Sequence, residues 1–226
     1  MKNLKRFFIN KKLICKVAPY ILAVAVPFFI FTKFENINAF SELVVDNDIK
    51  YTLNEEDKTA CLSDGTNLDG NIEIPGQIMS DGVTYKVISI GERAFERSRI
   101  QGIILPNEVE KIQNRAFEHC EELTAVSFGE NLHTIEDDAF FWSGITSLKI
   151  PDKTIHIGSR AFGSCTRLRT AILPLEISYL GEQIFAGCTL LESITIPDNI
   201  KTIPDKSFYG CEKLTDIKIP DSVEII

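Results

Sequence analysis

Nothing in these 226 residues matches a catalytic motif. No Gly-x-Ser-x-Gly elbow presents a serine nucleophile, and no glycine-rich loop is spaced to cradle a phosphate. Histidine is scarce, with only His119, His133 and His156. Cysteine and histidine never converge in pairs at the short spacing that a zinc site needs. Acidic residues are plentiful but scattered along turns, so no pair of carboxylates stands out for hydrolysis. These gaps argue against an enzyme, and no cofactor is called for. Blocks of like charge are also missing, which speaks against a disordered charged tail.

Charge is divided unevenly. The whole chain carries a formal net charge of −8. Residues 1–40 hold seven Lys/Arg and one acid, so residues 41–226 hold 17 basic and 31 acidic residues, a net of −14. A body that acidic repels phosphate backbones, so nucleic acid is not expected as a partner.

What is abundant is repetition. Phe95, Phe117, Phe140, Phe162, Phe185 and Phe208 follow one another at intervals of 22, 23, 22, 23 and 23 residues. Five residues before each stands Ile90, Ile112, Ile135, Ile157, Leu180 or Ile203. Directly before each stands Ala94, Ala116, Ala139, Ala161, Ile184 or Ser207. A fixed period in the low twenties marks a solenoid, in which each coil packs only on its neighbours. Numbering the coils one to six by these Phe, a strand leads into each new coil. Apolar pairs two residues apart, such as Val126 with Phe128 or Ile194 with Ile196, share one strand face. Pro106, Pro151, Pro174, Pro197 and Pro220 end the strands, since proline cannot donate to a ladder. Gly129 takes that place once. A second apolar pair, such as Val109 with Ile112 or Ile200 with Ile203, plugs the other wall.

Before each Ala position comes a polar residue: Glu92, Asn114, Asp137, Ser159, Glu182 or Asp205. Asn, Asp and Ser are good helix N-caps, and Glu suits the positive helix end. This predicts one helical turn per coil, carrying Ala and Phe inward. The Phe rings should then stack as a spine, the largest packing term of each repeat.

The pattern L-x-x-I-x-I-P-x-x-I-x-x-I-x-x-x-A-F-x-x-C resembles the BspA-type leucine-rich repeats (LRR) of bacterial and some protozoan surface proteins. It runs over residues 87–226. It departs from the pattern at Gly129 for Pro, at Ser98 and Ser143 for Cys, and at Ile184 and Ser207 for Ala. The resemblance implies an α/β solenoid, a curved right-handed coil with one parallel β-sheet and short helical turns. It also implies an extracellular protein used in adhesion or protein binding. The expected ligand is a protein or glycan, on a host or a neighbouring cell.

The organisation predicted is residues 1–41 as a leader, 42–92 as a small β-rich cap and 93–226 as repeats. The leader has a basic start, an apolar run from Val17 to Phe31, and small residues Ala39 and Ser41 near a cut. The apolar run is short for a membrane span and carries Pro27. A cleaved secretory signal and an uncleaved anchor through residues 17–32 both remain open. The cap covers the exposed end of the solenoid. Its expected strands lie near residues 49–53, 59–62, 71–75 and 84–90, with turns at Asp64-Gly65, Asp69-Gly70 and Asp81-Gly82. The sequence stops at Ile226, which aligns with Ile203 in mid-coil; either a truncation or a covering partner fits.

Four cysteines, Cys120, Cys165, Cys188 and Cys211, share the position three after Phe. They read as a ladder of buried thiols, with disulfides between coils as the alternative. The candidate ligand wall is the outward column between the two core positions of each strand: Ile104, Ser127, Lys149, Ile172, Thr195 and Lys218. A second outward column reads Gly102, Ala125, Ser147, Thr170, Ser193 and Asp216. If the coil curves like other leucine-rich repeats, the two columns form its concave wall. Surplus acid elsewhere leaves Lys149 and Lys218 as basic points on it, and Ile104 and Ile172 as apolar ones.

Overall fold

A computed structural model of the protein describes residues 42–46, 48–215 and 217–226. The leader or anchor expected in residues 1–41 lies outside the described residues.

The cap comes first. Strands β1 (Glu42–Asp46), β2 (Ile49–Asn54) and β3 (Thr59–Asp64) form an antiparallel meander. Strand β4 (Asp69–Glu73) follows, then β5 (Gln77–Ser80) and β6 (Val83–Ile90) as a hairpin. Asp81 and Gly82 both hold positive φ, 48° and 79°, the geometry of the tight turn that joins β5 to β6. The other two expected turns differ. Asp69-Gly70 lies within β4. Gly65 serves packing: its N–H donates to the Ala94 carbonyl at 2.7 Å. A Cβ there would stand 2.4 Å from the Phe95 ring. Only glycine lets the cap close over the first ring of the spine.

Strand β6 joins cap to coils. It pairs antiparallel with β5 and parallel with both β3 and β8 (Lys111–Ile112). From β8 the stack continues through two-residue strands β10 (Thr134–Ile135), β12 (His156–Ile157) and β14 (Tyr179–Leu180), all parallel. The second apolar pair of each coil therefore builds a ladder of its own. The opposite wall carries the proline-ended strands. It holds two parallel three-stranded sheets rather than the single one expected. One is β4 with β7 (Arg99–Ile104) and β9 (Ala125–Ser127); the other is β11 (Ser147–Lys149), β13 (Thr170–Ile172) and β15 (Ser193–Thr195). The break between β9 and β11 follows the short turn Ser143-Gly144-Ile145, which has one residue fewer than Cys120-Glu121-Glu122-Leu123. Gly129, standing where other coils have proline, has no room for a Cβ, which would meet the Pro106 carbonyl oxygen at 2.1 Å.

The helical turns are absent: no helix occurs among the described residues. Each Phe sits in a pair of tight turns instead. Two residues before it, Arg93, Arg115, Asp138, Arg160, Gln183 and Lys206 hold φ between 52° and 58°. Two residues after it, Arg97, His119, Trp142, Ser164, Gly187 and Gly210 are also left-handed. A left-handed residue cannot continue an α-helix. Bonds between coils hold this geometry. The N–H groups of Arg115, Phe117 and His119 donate to the carbonyls of Asp137, Ala139 and Phe141 one coil on, at 2.7 to 3.0 Å. The residues between them bond within their own turn. The expected N-cap side chains work across coils too, as when Asp137 Oδ1 accepts the Ser159 N–H at 2.7 Å.

The core runs through the middle of the coils. Phe95, Phe117, Phe140, Phe162 and Phe185 are fully buried. Successive rings stack nearly parallel, 4.8 to 6.1 Å apart, as far as Phe208. Beside them lies the thiol ladder. Cys120, Cys165, Cys188 and Cys211 are free and buried. Each donates its S–H to a Phe carbonyl of the preceding coil, at 2.9 to 3.2 Å. In coils one and three, Ser98 and Ser143 place their hydroxyls 3.5 and 3.2 Å from Cys120 and Cys165.

Candidate functional site

The proline-ended strands position the candidate wall. Core residues between the outward positions are buried: Ile103, Leu148, Ala171 and Ile194. Their neighbours point out. Ile104 is paired with Ser127 across β7 and β9. Lys149, Ile172 and Thr195 stand side by side in register across β11, β13 and β15. Lys218 is exposed but belongs to no strand among the described residues, so it does not extend the ladder. In the second column Ala125, Ser147, Thr170 and Ser193 are exposed, while Gly102 is buried beneath the Asn71 side chain. Ile104 is 50% exposed and Ile172 is 44% exposed. Around Ile104 the small side chains leave a shallow groove of about 410 Å³, lined by Ile72, Glu73, Gly102, Ile104, Ala125 and Ser127 among others.

This surface is made of small, apolar and isolated basic side chains. Three of the thiols behind it are poor nucleophiles. Burial pushes Cys120 and Cys211 up to about 11, and Cys188 is raised by the hydrogen bond it shares with Cys165 and then by burial. They stay protonated at neutral pH, and the thiolate is the reactive form. Of the histidines, His133 is exposed. His156 is half-buried and stacks on Tyr179, ring centroids 4.5 Å apart. His119 is half-buried and stacks on Trp142 at 5.3 Å.

Six copies of the BspA-type leucine-rich-repeat region match residues 82–169 and 133–226. The chain belongs to the BspA-type leucine-rich-repeat family. Solved members of the same fold agree. A leucine-rich-repeat protein from Bacteroides ovatus is 27% identical with a TM-score of 0.58, over 80% of this chain and 54% of that one. The BspA-type chain thus spans about half the length of that relative. The T. pallidum leucine-rich-repeat protein is 24% identical with a TM-score of 0.69, over 81% of this chain and 86% of that one. The pneumococcal vaccine antigen PcpA shares the fold at 17% identity and a TM-score of 0.56, over 83% of this chain and 72% of its own. No curated protein matches. Family and fold are of a kind that is generally non-enzymatic.

The aromatic cluster around Trp142 is the feature that repeat reasoning passed over. It lies on the turns flanking the Phe spine, where the pattern prescribes no side chain. The signal was the chain's single tryptophan at a variable position of the repeat.

Proposed function

We infer that this BspA-type chain is an exported surface protein that binds a protein ligand along the outward face of its proline-ended strands. The exposure of Ile104 and Ile172 among small neighbours carries this reading. Small side chains let a partner approach closely, and the two isoleucines give apolar anchors of the kind that dominate interfaces. Lys149 adds a basic point on an acidic body, which favours a partner with local acid. Family membership and the basic, apolar, small-residue order of residues 1–41 support a surface location.

Two measurements test this. N-terminal sequencing of protein recovered from medium or envelope should begin near Phe40 or Glu42. Intact chain in the cytosol rejects export, while intact chain in membranes favours the anchor. Beads carrying the protein should adhere to epithelial or bacterial cells. The double variant Lys149→Glu, Ile172→Asp should adhere at least tenfold less, about 1.4 kcal/mol, with the same melting temperature. Undiminished adhesion by the variant moves the site off this wall. Wild-type beads that adhere to nothing favour a passive spacer.

A further inference from the structure

The outward column of the strand wall repeats itself with one change. The sheet of β4, β7 and β9 presents Glu73, Ile104 and Ser127 in register. The sheet of β11, β13 and β15 presents Lys149, Ile172 and Thr195 in register. Each run is a charged residue, an isoleucine and a hydroxyl, and the charge changes sign between them. All six residues are exposed. Among the described residues, the side chains of Glu73, Ser127, Lys149 and Thr195 have no hydrogen bond or ion pair. Charges elsewhere on the coils pair off: Lys111 with Glu136, Arg160 with Asp138, Arg169 with Glu192.

The break between β9 and β11 divides this column into halves of three strands. Turned end for end, one copy of the wall therefore matches another. A two-fold axis lying along the strands at the break sets Ile104 opposite Ile172 of a second copy, and Ile172 opposite its Ile104. The width of the break does not enter, because each isoleucine is the middle residue of its half.

The same turn sets Glu73 opposite Thr195 and Lys149 opposite Ser127. Each charge meets a hydroxyl, which donates to a carboxylate and accepts from an ammonium. A parallel arrangement would instead bring Glu73 against Glu73 and Lys149 against Lys149, which is repulsive. The second column lets the two faces close. Gly102, Ala125, Ser147, Thr170 and Ser193 are all small, and buried Gly102 stands opposite Thr170 of the second copy. The groove of about 410 Å³ around Ile104 is a socket for the second copy's isoleucine, with Ile72 and Ala125 in its lining.

We propose that the protein ligand of the strand wall is a second copy of this chain, held antiparallel, so that adhesion is homophilic. This rests on the wall being the binding face and names what binds there. Two columns over six strands bring fewer residues than the roughly 20–30 a side of a standard interface, so single copies pair weakly. Copies displayed in number on two surfaces hold by multivalency. The surface this fits is a neighbouring cell that carries the same protein.

Beads coated with the protein recovered from medium or envelope should clump with one another in buffer, with no cells present. Ile172→Asp and Ile104→Lys should each clump at least tenfold less, with unchanged melting temperatures, because each leaves a lone charge against an isoleucine. Mixed, the two variants should clump together, since position 172 of one meets position 104 of the other and the new charges pair. Mixing Ile172→Asp with Ile172→Lys is the control for bulk charge attraction. That mixture should stay dispersed, because these positions do not face each other. The proposal is overturned if wild-type beads stay dispersed, if either single variant clumps like wild type, if the first mixture stays dispersed, or if the control mixture clumps as well as the first. Wild-type beads that stay dispersed yet adhere to cells, with adhesion lost in the Lys149→Glu, Ile172→Asp variant, overturn this proposal alone and leave the wall to a different protein. Adhesion undiminished in that variant removes the wall itself.

Discussion

Phe140→Ala is expected to destabilise the protein by about 3–5 kcal/mol, the usual cost of emptying an aromatic core site. The ring is fully buried and has company on three sides. Phe117 stacks on one face at 4.8 Å and Phe162 on the other at 5.4 Å, while Phe128 meets it edge-on at 5.9 Å. Truncation strips all three of a partner. Collapse cannot refill the gap, because the bonds between neighbouring turns fix the coil spacing. For a domain of this size the melting temperature should fall by roughly 6–20 °C. Phe208→Ala should cost less, since that ring is only half-buried and stacks on one side alone. Exposed Lys153→Ala is the control. Phe140→Ala melting like the control would place the ring outside the core.

Alkali should unfold the protein well before its surface charges explain it. The sign follows from the buried acids. In the unfolded chain a thiol ionises near 9 and a tyrosine near 10. In the folded chain Cys120 and Cys211 ionise near 11, and Tyr51 is pushed up to about 12 by burial and then by the Asp46 charge. Below pH 9 both states keep their protons, and stability is at its full value. Between 9 and 11 the unfolded chain releases thiol protons that the native chain retains, so stability falls as pH rises. For fully buried Cys120 the two decades amount to about 3 kcal/mol. Tyr51 extends the loss to about pH 12, and its buried hydroxyl has no hydrogen-bond partner among the described residues. Melting curves from pH 8 to 12 should drop steeply above about 9. Cys120→Ser should flatten the first part, because serine already fills that position at Ser98 and Ser143. Tyr51→Phe should flatten the second. A flat profile to pH 11 would mean that the thiols are not buried as described.

Side chains that recur at one position were legible in the sequence. The Phe spine, the Ala column, the buried thiols and the outward residues Ile104, Ser127, Lys149, Ile172 and Thr195 all follow from period and alternation. What was not legible depends on contacts between coils. The left-handed residues show no glycine or asparagine before the Phe; Arg93, Asp138, Gln183 and Lys206 stand there instead. Their conformation is imposed by N–H groups that reach the next coil, so a reading of single-coil propensity gives a helical turn. The two-residue strands β8, β10, β12 and β14 are too short to show any alternation. The split of the strand wall between β9 and β11 has no counterpart in the repeat pattern. The Trp142 cluster joins residues of coils two and three that no periodic rule relates.

The bonds that join Arg115, Phe117 and His119 to the following coil run along the stacking axis, whereas the covalent chain winds across it. A protein held at one end and gripped at the other is therefore loaded along its weakest direction. Tension strains the hydrogen bonds of one coil boundary before it strains any peptide bond. Each boundary that opens frees a coil of 22 or 23 residues. Fully drawn out, that length of chain spans about 75–80 Å, against the roughly 4.8 Å a stacked coil occupies. An attachment built this way yields in steps and absorbs work at each one, and the opened coils can close again when the pull relaxes.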